Sequence, residues 1–426
     1  MENLTKEQEY NLKLFPFYKM VSWDLLFYYS IQFLFLTSVK GLSASEVLFA
    51  DAFYPLFKVL LQFLLIGIID KIGFRKSILL ANIINAFSIL VLIVGNGVSS
   101  VIFSWFIMAF GYTIKDMCES SMVQSFIPKC EKRNSIFSRV DGKGSSYYYY
   151  LDAISSVATG FLFVINGYLP MIICFGFCVL GAILAYQFKP VSIQKGINNS
   201  NSSLFGFIKD LKHSFYYIIN SRRLRGLLLC SALFYTVFSL TSTLNSSMLV
   251  EINFPEQYYG ILFAVLQIFS AISAKYQNFY HKKFKNRTLS YFAVFLSVPL
   301  IFLGLLANIG LSYNSIVVIT FIVFAIRYII KGPYYTLIYR YLNSFTTSKS
   351  GIRVYSANII LQSICRSLFS LFASWLLSFT STPTSFIIIG CIFTILFILI
   401  LDYMKTRVGL KPEEYKRQDI PFVEIK

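Results

Sequence analysis

Between Trp23 and Tyr403 the chain passes through one apolar run after another, most of them at least about 18 residues long, separated by short polar connections. A run of that length crosses the hydrocarbon of a bilayer as a helix. Because lipid offers no partner for backbone N–H and C=O groups, each segment must satisfy its own by helical hydrogen bonding. Twelve spans are predicted, at 20–38, 45–69, 77–95, 100–123, 145–166 and 169–188, and then at 226–248, 255–275, 287–308, 312–338, 354–378 and 384–404. The fold class expected is therefore an all-α integral membrane protein. Composition agrees, with 56% hydrophobic and 14% charged residues against about 25% charged in soluble domains.

The charges that remain carry topological information. Of the 38 Lys and Arg residues, 32 fall in the N-terminal tail, the C-terminal tail and every even-numbered connection, five lie inside spans, and Lys40 alone occupies the opposite face. Cytoplasmic connections retain basic residues, so both termini are expected in the cytoplasm. The net charge of +18 then reflects topology and attraction to anionic lipid headgroups rather than nucleic-acid binding. The N-terminus, Met1 to Lys13, carries Glu2, Glu7 and Glu9 and lacks the basic start of a cleaved signal peptide. Seven cysteines are scattered, and the two histidines, His213 and His281, lie in polar connections. Neither a disulfide framework nor a metal centre is expected, and no cofactor.

The longest connection, 189–225, divides a cytoplasmic tail (1–19) and six-span bundle (20–188) from a second six-span bundle (226–404) and tail (405–426). It contains the low-complexity stretch Asn198–Ser203 and a candidate amphipathic segment from Leu204 to Ile219. The 2–3 and 8–9 connections align as an internal repeat: Asp70-Lys71-Ile72-Gly73-Phe74-Arg75-Lys76-Ser77 stands over His281-Lys282-Lys283-Phe284-Lys285-Asn286-Arg287-Thr288.

At these residues the sequence resembles the major facilitator superfamily (MFS), whose 2–3 loop carries Gly, Asp, a basic residue, a second Gly and a basic pair. The counterparts here are Gly67, Asp70, Lys71, Gly73, Arg75 and Lys76, with Gly67 three residues before Asp70 rather than four and Phe74 inserted before the basic pair. Ile127-Pro128 followed by Glu131-Lys132-Arg133 is similar to the family's 4–5 loop signature. The resemblance implies two six-helix pseudo-repeats and a gating loop formed by Asp70, Gly73, Arg75 and Lys76. Physically, Gly73 permits the tight reversal and Asp70 can cap the next helix.

A charge at mid-bilayer costs roughly 2.5–3.5 kcal/mol on insertion scales, so each one requires a reason. Ten are found in the spans: Asp24, Asp51, Lys58, Lys115, Asp116, Glu119, Asp152, Arg327, Lys331 and Arg366. They occupy spans 1, 2, 4, 5, 10 and 11, which the resemblance places around a central pathway, and leave spans 3, 6, 9 and 12 without charge. Substrate-binding or coupling roles are assigned to Asp51, Lys58, Lys115, Asp116, Glu119, Asp152, Arg327, Lys331 and Arg366. Asp51 and Lys58 lie on one helix face about 10 Å apart, too far to pair directly. The carboxylates of Asp116 and Glu119, spaced i,i+3, raise one another's proton affinity, as proton coupling requires. Arg327 and Lys331, spaced i,i+4, repel and call for an anionic partner, either Asp116 or Glu119 or a solute anion. Gly332-Pro333 is expected to kink or interrupt that span.

Arg139 to Ser146 lacks the spacing of a phosphate-binding loop and no catalytic motif is present, which points away from an enzyme and from ATP-driven transport. The expected function is secondary active transport of a small organic solute in the plasma membrane, proton-coupled, with the protein a monomer in contact with lipid. With 44 Phe and 29 Tyr, efflux of an amphipathic, partly anionic or zwitterionic compound by antiport is preferred to uptake of an anionic nutrient or metabolite. A non-transporting sensor or lipid-handling protein is a further alternative.

Overall fold

The computed structural model describes residues 4–128, 133–190, 222–284, 287–309, 311–345 and 351–405, with the single positions 212, 216 and 219 between them. Asn198–Ser203, nearly all of 204–219, Glu131-Lys132 and the tail after Lys405 lie outside the described residues. Every regular element among them is helical, and ten helices are long and apolar enough to cross a membrane.

Predicted spans 1 and 2 are not built as single helices. The first comprises α1 (Lys6–Ser22), an irregular stretch from Trp23 to Ile31, and the short α2 (Gln32–Leu34), which runs into a π-turn over Phe35–Val39. At the break the Asp24 carboxylate accepts the Leu25 backbone N–H at 2.9 Å and so competes with the helical ladder. Phe27 then takes a positive φ of 63°, a conformation that only tertiary packing sustains in a bulky residue. The second span is divided at Ala52 into α3 (Ala44–Asp51) and α4 (Phe53–Ile72).

The remaining helices are α5 (Phe74–Val94), α6 (Gly97–Phe126), α7 (Arg133–Ile165), α8 (Leu169–Gln187), α9 (Arg222–Glu251), α10 (Tyr259–Lys275), α11 (Gln277–Phe284), α12 (Thr288–Asn308), α13 (Tyr313–Phe345), α14 (Gly351–Leu377) and α15 (Thr382–Lys405). Gly73 begins α5 with φ 84°, the left-handed turn that its lack of a Cβ allows. Pro333 lies inside α13, which continues through it, so the helix is not interrupted there. At Gly332 an added Cβ would collide with the Ser270 carbonyl of α10, which makes close helix packing the reason for this glycine.

The chain forms two compact units. One contains residues 1–42, 53–206 and 255–261, the other 43–52, 207–254 and 262–426. In the first, α5 packs on α6 and α8, α1 on α7, and α4 on α6, around a core that includes Phe15, Tyr18, Leu65, Ile78, Phe126 and Phe188. Interhelical hydrogen bonds reinforce it: Asn82 Nδ2 donates to Tyr18 Oη at 3.0 Å and Ser104 Oγ to the Ser88 carbonyl at 2.8 Å. Lys40 donates to the carbonyls of Ile93 and Gly95 at 2.7 and 2.8 Å, so it caps the C-terminus of α5. In the second unit α12 packs on α15, and α9 on α14 and α15, while α3 lies against α14. Large apolar side chains such as Leu64, Val94, Phe302 and Leu399 remain exposed, as a lipid-facing surface requires.

Candidate functional site

The first unit encloses a cavity of about 350 Å³, within the range of small-molecule pockets. Four carboxylates (Asp24, Asp116, Glu119, Asp141) and three lysines (Lys19, Lys58, Lys115) line it, with Trp23, Tyr29, Tyr54 and Tyr112 supplying aromatic faces. α6 contributes Tyr112, Lys115, Asp116 and Glu119 to one wall, since i, i+3 and i+4 residues share a helix face. The irregular stretch after α1 brings Trp23, Asp24 and Tyr29, and α4 adds Tyr54 and Lys58.

Two ion pairs organise the charges. Lys58 Nζ meets Asp116 Oδ2 at 2.7 Å, with side-chain exposures of 34% and 60%. Lys19 Nζ meets Asp141 Oδ1 at 2.5 Å and also stands 4.6 Å from the centre of the Trp23 ring. Lys115 is buried to 3% exposure; its ammonium lies 5.2 Å from the Tyr112 ring centre. One turn along α6 is Glu119. Tyr112 Oη donates to Asp24 Oδ1 at 2.7 Å.

Of the residues singled out in the sequence, Lys58, Lys115, Asp116 and Glu119 are thus brought together. Asp152 is placed on α7, one turn after Tyr148, with no ion-pair partner among the described residues. Lys19 and Asp141 escaped the sequence reading because they lie in stretches that read as connections. Nothing in the order of residues signals a contact between positions 122 apart.

In the second unit Arg366 Nη2 bonds Asp51 Oδ1 at 2.7 Å, with side-chain exposures of 16% and 12%. Beside this pair Ser45 Oγ donates to the Ser374 carbonyl at 2.7 Å and Ser374 Oγ to the Ser45 carbonyl at 2.8 Å. Arg327, at 3% exposure, finds partners on α9 within its own unit. Its Nη2 donates to the Phe238 carbonyl. With the Asn245 amide turned to satisfy both neighbours, that side-chain oxygen accepts from Arg327 Nη1 while its nitrogen donates to the Thr241 carbonyl at 2.9 Å. Within the second unit, neutral oxygens of α9 thus accept from the Arg327 guanidinium. The Arg327 and Lys331 cations both stand near the Tyr328 ring, at 5.5 and 5.3 Å.

In the 2–3 loop Arg75 Nη2 donates to the Tyr186 carbonyl at 3.1 Å, near the C-terminus of α8. Lys76 is exposed. The Asp70 side chain lies outside the described residues.

A family model, the Major Facilitator Superfamily, matches residues 20–369. The chain belongs to the Major Facilitator Superfamily. Solved structures with this fold include the nucleoside transporter NupG (TM-score 0.69, 12% identity, covering 96% of this chain and 100% of that one). A D-xylose-proton symporter is similar at TM-score 0.65 and 13% identity, covering 97% and 98%. A POT family transporter in complex with 5-aminolevulinic acid is similar at TM-score 0.61 and 13% identity, covering 95% and 96%. No curated protein matches the sequence. The MFS relatives by fold are transporters, not enzymes, and the chain is a multi-pass protein of the plasma membrane.

Proposed function

We propose that this MFS protein is a secondary transporter that moves a small organic solute by alternating access, driven by proton coupling. It works as a monomer with twelve spans and both termini in the cytoplasm, a topology supported by the distribution of its Lys and Arg residues. The observation that carries the function is the cavity of the first unit, where seven ionisable side chains converge in a setting that penalises each of them. Lys58, Lys115, Asp116 and Glu119 serve solute binding and coupling there, and Asp152 on α7 shares that role. Arg327 and Lys331 hold the positive potential of the second unit. The 2–3 loop residues Asp70, Gly73, Arg75 and Lys76 act as the conformational latch that the family resemblance implies.

The buried Asp51–Arg366 pair supplies a second latch, holding α3 against α14; loss of either charge releases it. Solute flux in proteoliposomes with and without an imposed pH gradient tests the coupling. A gradient is expected to accelerate flux, and equal rates would remove proton coupling from the mechanism.

Efflux of an amphipathic, partly anionic or zwitterionic compound is the preferred direction, supported by the aromatic faces of Trp23, Tyr29, Tyr54 and Tyr112. Uptake of a nutrient or metabolite is the competing reading, supported by the sugar–proton symporter among proteins of the same fold. Accumulation of solute in inverted but not right-side-out vesicles decides for efflux; the reverse decides for uptake.

A further inference from the structure

The cavity's charges do not cancel. Lys19 is held by Asp141 and Lys58 by Asp116, which leaves Lys115 to offset either Glu119, one turn along α6, or Asp24 across the cavity. Whichever it offsets, four carboxylates against three ammoniums leave one negative charge without a cationic partner. Neither Asp24 nor Glu119 forms a salt bridge among the described residues, and Asp24 is the one set among aromatic side chains. Its Oδ1 is engaged by two neutral donors, the Tyr112 hydroxyl and the Leu25 N–H, and no lysine or arginine among the described residues forms a salt bridge with it.

The surroundings of Asp24 specify what kind of cation would fit. Trp23, its neighbour in the irregular stretch, packs edge-on against Tyr148 and Tyr149 at ring separations of 4.8 and 5.3 Å. Tyr29, Tyr54 and Tyr112 complete an aromatic wall on the cavity side. A carboxylate bordered by π-faces suits an organic ammonium, which takes the ion pair at one point and cation–π attraction over the rest of its surface. A small hard metal ion needs six or more oxygen ligands, and among the described residues no three Asp, Glu, His or Cys side chains converge as metal ligands would.

We propose that Asp24, with Trp23, Tyr29 and Tyr112, forms a subsite for a positively charged amine or quaternary ammonium group of the solute. This deepens the transport reading and rests on it for the cavity being a solute site. A zwitterionic solute places its ammonium end here. Non-helical backbone at membrane depth is tolerated where it lines such a cavity, and the interruption of the first span is what turns Asp24 toward Tyr112.

The test compares benzyltrimethylammonium and tyramine with carboxylates of similar size, benzoate and 4-hydroxyphenylacetate. Binding to the purified full-length protein is read by tryptophan fluorescence, and flux in proteoliposomes is read separately. The ammonium probes are expected to bind the wild type. Asp24→Asn, with an unchanged unfolding temperature, is expected to weaken them at least about tenfold, and Trp23→Phe to remove most of the fluorescence response. Tighter binding of the carboxylates overturns the subsite, as does equal binding of ammonium probes by Asp24→Asn, or no ammonium binding at millimolar concentration. Should Asp24→Asn itself unfold, Tyr112→Phe replaces it, and an unchanged ammonium affinity in that variant overturns the subsite. Ammonium binding with no flux of any probe would instead refute transport of these solutes while leaving the subsite standing.

Discussion

Replacing Asp51 by Asn removes one charge of a pair that is nearly dry and leaves Arg366 facing a neutral amide. The side chains are only 12% and 16% exposed and their nearest atoms are 2.7 Å apart, so the discount applied to surface pairs is small. Removing one member of a buried ion pair costs about 3–5 kcal/mol. The lower figure is appropriate because Arg366 also interacts with Tyr235, and at about 1.4 kcal/mol per decade it corresponds to roughly a 100-fold shift in equilibrium. The shift is expected in the contact between α3 and α14, which a thiol at position 374 reports, since Ser374 is 6% exposed and bonded to Ser45. Labelling of Ser374→Cys by a small maleimide, located by mass spectrometry, tracks the fraction of molecules in which this contact is open. Asp51→Asn is expected to raise the labelling rate about 100-fold, and Asp51→Asn with Arg366→Gln to recover most of the loss, because two neutral partners strand no charge. A rate within twofold of wild type in the folded single variant would falsify the latch.

Lys58→Ala is expected to abolish proton-driven flux while lowering stability by less than about 1 kcal/mol, because Asp116 is 60% exposed and stays hydrated; flux and thermal unfolding of the same sample check both halves. Gly260→Val places a Cβ onto the Ser156 carbonyl of α7, so a loss of about 1–3 kcal/mol, seen as a lower unfolding temperature, is anticipated. Lys40→Gln uncaps α5 and should cost about 1 kcal/mol with flux retained. Arg327→Met strands the Phe238 carbonyl and the Asn245 oxygen, and its expected signature is a stability loss of about 1–3 kcal/mol, read in urea unfolding, rather than a change in solute affinity alone.

Helical membrane architecture was legible in the sequence because its cause is local: an apolar run about 18 residues long has one way to satisfy its backbone in lipid. The family was legible too, through the glycine and the charges of the 2–3 loop, where Gly73 does adopt the left-handed turn that its position required. The clustering of Lys115, Asp116 and Glu119 on one face followed from helical spacing alone. What the sequence could not decide was who meets whom. Lys58 with Asp116, Lys19 with Asp141 and Arg366 with Asp51 join residues 58, 122 and 315 positions apart, and those pairings exist only once helices pack. The same holds for Arg327, whose need for compensation was readable but whose partners, a carbonyl and an amide on α9, carry no charge to betray them. The break after Ser22 shows the limit most clearly. Hydropathy reads 20–38 as continuous, whereas an Asp24 carboxylate anchored by Tyr112 from another helix makes a non-helical path the lower in free energy, and so opens the wall of the cavity.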